Sequence, residues 1–239
     1  MKTLTAIVVS AGLLLTASAQ DARAIMAKTE KHLDGLKSME MTMSMKMTGP
    51  MSQNMNGSFA MKRPNFLKAN MDMGAMKMQQ LSDGKFMYSY NASSNTFTKQ
   101  PAPKDLKSSG MAGGMGVSQL KISQDKTAKL KYVKRDTVNG KPVHVIEATN
   151  VSMIPIPNHK MWAYIGVNDN LMHRYVVEGT MPGGQGQAAG QKMRMEMNFA
   201  YKSIGKDLPN SMFVWKAPAG AKEQKMAQPM PVRPQGKSK

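Results

Sequence analysis

Met39-Glu40-Met41-Thr42-Met43-Ser44-Met45-Lys46-Met47 carries methionine at every second position and a polar residue at each position between. Successive side chains of a strand point to opposite faces of a sheet, whereas a helix repeats every 3.6 residues, so this period specifies a strand. One face of that strand is a row of thioethers. At about 3.3 Å of rise per residue the row is roughly 30 Å long, enough to line a cup or channel. The same spacing returns at Met71/Met73, Met76/Met78 and Met193/Met195/Met197. Methionine is unbranched and polarizable, so a face built from it suits apolar partners of variable shape.

Working outward from this strand, residues 21–36 carry Ala22, Ile25, Met26, Leu33 and Leu36 at near-helical spacing, with Asp21 as the expected N-cap and Gly35 near the end. After them the period becomes two. Strands are expected over about 37–48, 56–62, 66–73, 76–82 and 85–91, separated by Gly49-Pro50, Asn56-Gly57, Arg63-Pro64-Asn65, Gly74 and Asp83-Gly84. Residues 101–119 are rich in Pro, Gly, Ser and Met, the composition of a loop or of short helices lying over an opening. Strand pattern resumes over about 128–135, 142–150, 160–167, 171–180 and 191–202, with turns at Asn139-Gly140 and Asn168-Asp169-Asn170 and a Gly/Gln/Ala loop at 182–190. A disordered basic tail is expected beyond residue 222, so the domain is placed at 20–222 and the tail at 223–239.

Residues 1–19 read as an export leader: Lys2, an apolar stretch from Ala6 to Leu15, and Ala17-Ser18-Ala19 ahead of Gln20. A periplasmic chain cleaved after Ala19 is expected. Cysteine is absent, which excludes both acylation on cysteine and a disulfide framework. Lys and Arg number 33 against 15 Asp and Glu, a formal charge of +18, which favours transient contact with an anionic membrane surface. The lysines do not interleave with aromatic residues, so no nucleic-acid partner is expected. A monomer is expected.

Enzyme chemistry finds no footing. His32, His144, His159 and His173 fit no zinc spacing, there is no G-x-S-x-G elbow, and no thiol nucleophile exists. Gly184 to Ala189 fits G-x-G-x-x-A, yet it lies between antiparallel strand candidates and opens no helix of a βαβ unit. No catalytic residue, cofactor or metal site is assigned, and the chain is read as a non-enzyme. Thioethers do select Cu(I), so soft-metal binding stands as an alternative, although neighbours on one strand face are about 6.6 Å apart and need a second strand to converge.

Several motifs carry a resemblance. Ala24-Ile25-Met26 leads a helix into a long first strand; Phe59-Ala60-Met61-Lys62-Arg63-Pro64-Asn65 ends a strand in an Arg-Pro turn; and Ser82-Asp83-Gly84-Lys85-Phe86-Met87-Tyr88-Ser89-Tyr90 forms a hairpin. Met161 to Ile165 with Leu171 to Arg174, and Leu208 to Ala221, follow in order. In this order they resemble the LolA/LolB-type superfamily of periplasmic lipoprotein carriers, over residues 21–222. The resemblance implies a mainly β (α+β) fold: a half-open antiparallel β-barrel with an N-terminal helix and lid helices or loops, and residues 208–221 as a closing strand. It also implies that Arg63 contacts the lid, and that lipid or lipoprotein acyl chains are the partner. The expected ligand-binding residues are Met41, Met43, Met45, Met47, Phe59, Met61, Met71, Met73, Met195 and Met197. A dry core, or a stress-sensing or assembly module of the same fold, would use these side chains for packing alone.

Overall fold

A computed structural model describes residues 9–50, 52–106, 121–181 and 190–225. Helix α1, Val9–Gly35, leads into strand β1, Ser38–Thr48. Next come β2 (Gln53–Lys62), β3 (Phe66–Asp72), β4 (Lys77–Asp83), β5 (Phe86–Asn91) and β6 (Thr96–Pro101). The second run is β7 (Lys129–Val138), β8 (Lys141–Thr149), β9 (Lys160–Gly166), β10 (Met172–Thr180) and β11 (Lys192–Ile204). A 3-10 turn at Asn210–Phe213 and the two-residue strand β12, Lys222–Glu223, complete the described chain.

All twelve strands join one sheet in the order β12-β6-β5-β4-β3-β2-β1-β11-β10-β9-β8-β7. Each half is an antiparallel meander, and β1 pairs with β11 to join them. The outermost strands, β12 and β7, do not pair with each other, so the barrel is half-open. β7 carries a bulge between Tyr132 and Lys134 and exposes Lys129, Lys131, Lys134 and Arg135.

The core lies on one face of the sheet and includes Ala22 and Met26 of α1, Met39, Met41 and Met43 of β1, Phe59 and Met61 of β2, and Phe199 of β11. The helix is fastened at its middle and at its C-terminal end. Arg23 donates to the carbonyls of Ser123 (2.6 Å) and Ala128 (2.9 Å), just before β7, and Asp34 pairs with Lys121. At the C-terminal end Arg63, in the β2–β3 turn, also donates to the carbonyls of Leu36 (2.7 Å) and Asp34 (3.1 Å). These are carbonyls that a helix end leaves without intrahelical partners. Buried Glu30 accepts the Ser123 amide at 2.9 Å between the two attachments.

Several expectations change. Asp21 is not an N-cap: α1 is continuous from Val9, because the Ala- and Leu-rich residues before it propagate the helix. Asn56-Gly57 is not a turn but lies inside β2, which starts at Gln53. A Cβ on Gly57 would stand 3.0 Å from the Asn70 carbonyl and 3.2 Å from Met43 Cγ, so glycine is needed for close approach rather than for chain reversal. β6 is an addition to the expected strands.

Residues 208–221 do not form a closing strand. The segment has no ladder partner before β12; it is held by side chains against the face opposite the core. Lys62 grips its start through the Leu208 carbonyl (2.9 Å), Asn210 Oδ1 (3.0 Å) and Asp207 (2.7 Å). Phe213 packs with Ala60, Phe66 and Leu208, and Trp215 stacks on Tyr88 at 5.0 Å. β12 then pairs with β6 in parallel and Gln224 donates to the Phe97 carbonyl, so the ordered chain passes the boundary placed at 222. Most of the 101–119 insert, the 182–189 loop and the tail from 226 lie outside the described residues.

Candidate ligand-binding face

The two-residue period of β1 puts Met39 through Met47 on the core face and Glu40, Thr42, Ser44 and Lys46 on the other. Register then sets what each thioether meets. Met41 is opposite Phe59 on β2 and Tyr201 on β11; Met43 is opposite Gly57 and Phe199. Met45 lies between Met55 and Met197, and Met47 between Gln53 and Met195. Tyr175 of β10 follows Met197 in the same row.

Five expected site residues, Met41, Met43, Phe59, Met61 and Met197, are buried in one core, and Met45 and Met195 pack against it half-buried. Met47 sits half-buried beyond them at the hairpin end. Met71 is half-buried beside Gly57 and opposite Met78, outside the main core. Met73 lies past the end of β3, where its amide bonds the Met76 carbonyl, and belongs to a turn rather than to the face. Burial therefore falls along β1, from 3–4% exposure at Met41 and Met43 to half-exposure at Met45 and Met47.

The face is electrically quiet. Charged side chains of the same strands project oppositely, where Glu196 meets Arg174 and Arg194, each at 3.4 Å, and Lys202 meets Glu40 at 3.6 Å. Burial pushes the Tyr175 hydroxyl up to about 12 and raises that of Tyr201 further, so both stay neutral. Tyr201 donates to the Met172 carbonyl at 2.9 Å. No group of three His, Cys, Asp or Glu is placed to hold a metal ion among the described residues. Three histidines are engaged structurally: His159 with Ile156 and Val151, His173 with Asp169 at 2.9 Å, and His144 with the Tyr132 hydroxyl.

Met55, Met26, Tyr175 and Phe199 belong to the same face and are not among the residues expected from sequence. A signal for Met55 exists: Met55, Gly57, Phe59 and Met61 continue the two-residue period, but Asn56-Gly57 mimics a turn. Open depressions lie elsewhere among the described residues, two of them larger than 400 Å³. One, about 460 Å³, is on the opposite face, between Asn56, Ser58, Asn70, Gln79 and Tyr90; the other, about 440 Å³, is at the hairpin ends near Thr48, Glu178 and Arg194.

No family model and no curated protein matches the chain. Among solved structures it is similar to an uncharacterized conserved protein from Thermus thermophilus, at 11% identity over 86% of this chain and 99% of that one, with a TM-score of 0.46. It is similar to MucB at 11% identity over 83% of this chain and 64% of MucB, TM-score 0.44. A LolA superfamily protein from Nitrosomonas europaea aligns at 8% identity over 81% of this chain and 97% of its own, TM-score 0.33.

Proposed function

We propose that the methionine face binds the acyl chains of a lipid or lipoprotein in the periplasm, without bond chemistry, and that α1 braces the open barrel around them. The observation that supports this most is the gradient along β1: the apolar face continues past its buried part to half-exposed Met45, Met47, Met55 and Met195. Continuous apolar surface left partly open favours an apolar occupant. Each methylene buried there contributes about 0.8 kcal/mol, and flexible thioethers repack around chains of different length. Export with cleavage after Ala19 belongs to this reading; α1 would then keep Ala22, Met26 and every side chain through which it is fastened. The basic tail at 223–239 would add attraction to anionic membranes.

The test is displacement of a fluorescent fatty acid from wild type and from the Met41→Leu/Met43→Leu/Met45→Leu variant. Saturable binding in both is expected, since volume-conserving apolar substitutions cost little. A correctly folded wild type that binds no probe overturns the proposal.

A further inference from the structure

We infer that the half-exposed end of the methionine face holds a Cu(I) site built from the thioethers of Met45, Met55 and Met197. The inference does not depend on acyl-chain binding. Methionines spaced i, i+2 on one strand are too far apart to share an ion, and what they lack is partners on adjacent strands. Register supplies two: Met45 is directly opposite Met55 on β2 and directly opposite Met197 on β11.

Directly opposed residues hold their Cβ atoms about 4.5–5.5 Å apart, and each methionine adds a flexible arm ending in sulfur. Three sulfurs can therefore close on one ion from three adjacent strands with the backbone unmoved. Met47 and Met195 form the next opposed pair along the same strands and can supply a fourth sulfur.

The surroundings decide which ion. Thioethers are soft, neutral donors that select Cu(I) over Mg²⁺, Ca²⁺ or Mn²⁺, which need carboxylate, carbonyl or water oxygen. Glu178 of β10 and Glu196 of β11 are tied to arginines on the other face. Met45 and Met55 are half-buried, which leaves the ion a way in, whereas Met197 is buried and forms the floor.

Anaerobic titration of the full chain with Cu(I) against a chromophoric chelator tests this, with Ag(I) as an air-stable second probe. Wild type is expected to take one ion per chain at the site, with X-ray absorption showing sulfur-only coordination. Met45→Leu/Met55→Leu/Met197→Leu should lose that ion while melting as wild type. A control on exposed methionines elsewhere, Met76→Leu/Met153→Leu, should keep it. No binding by wild type, nitrogen ligation, retention of the ion by the triple variant, or its loss in the control each overturns the inference. Fatty-acid displacement is read on the same samples, so failure of the copper site is separate from failure of acyl-chain binding.

Discussion

The two faces of this one sheet are built on opposite plans. The core face uses thioethers, which fill space by rotating about several bonds and impose little direction on what they touch. The opposite face uses groups with fixed geometry: Trp215 stacked on Tyr88 and tilted against Tyr90 and Phe97, Lys99 4.0 Å above Phe86, and arginine–glutamate pairs. Rings and ion pairs suit a contact that forms once, and here the rings anchor the chain's own strap from Leu208 to Glu223. Thioethers suit a contact that changes, which is why ligand binding is assigned to the methionine face although the aromatic face has the more directional chemistry.

A charge in the middle of the methionine face should break this contrast hardest. Met43→Asp places a carboxylate where the side chain is 3% exposed and faces Gly57 and Phe199, and it should cost about 3–5 kcal/mol in urea denaturation, or prevent folding. Met47→Asp, at the half-exposed end, should cost far less while reducing fatty-acid binding. Equal costs at the two positions would erase the gradient on which the binding proposal rests.

The aromatic strap should give an intermediate effect. Trp215→Ala removes three ring contacts of a half-buried side chain and should cost about 2–3 kcal/mol, with loss of near-ultraviolet circular dichroism and unchanged fatty-acid displacement. A change in ligand binding would show that the two faces are coupled. The smallest effect should come from the ion pairs. Glu196→Ala removes one partner each of Arg174 and Arg194, which keep Asn198 and Glu178, and should cost under about 1 kcal/mol, less still at high salt.

The strand from Met39 to Met47 is legible because its period admits one backbone conformation, and the pairing of consecutive strands follows from their turns. What escapes are features fixed by contact across the sheet. Gly57 looks like punctuation until Met43 and Asn70 are seen to need its missing side chain. Residues 213–215 alternate like a strand, yet Phe213 and Trp215 dock by their rings alone, and alternation cannot reveal whether a ladder partner exists. The row Met55-Met45-Met197 joins residues far apart in sequence, so its members can be named only once register is known. The i, i+2 spacing continues through Met73 and points it to the face, but β3 ends at Asp72 and the spacing carries on into a turn. Arg63 grips the carbonyls of Asp34 and Leu36 at the end of α1, a contact between distant segments that local spacing does not announce.

An open sheet has two rows of backbone groups available to a neighbouring molecule, and here the two are treated differently. On one side the β12 segment occupies β6. On the other, α1 packs against β7, and the strand carries a bulge after Tyr132 and four exposed cations, Lys129, Lys131, Lys134 and Arg135. A second copy approaching this edge would meet mismatched spacing and like charge, both of which discourage strand addition.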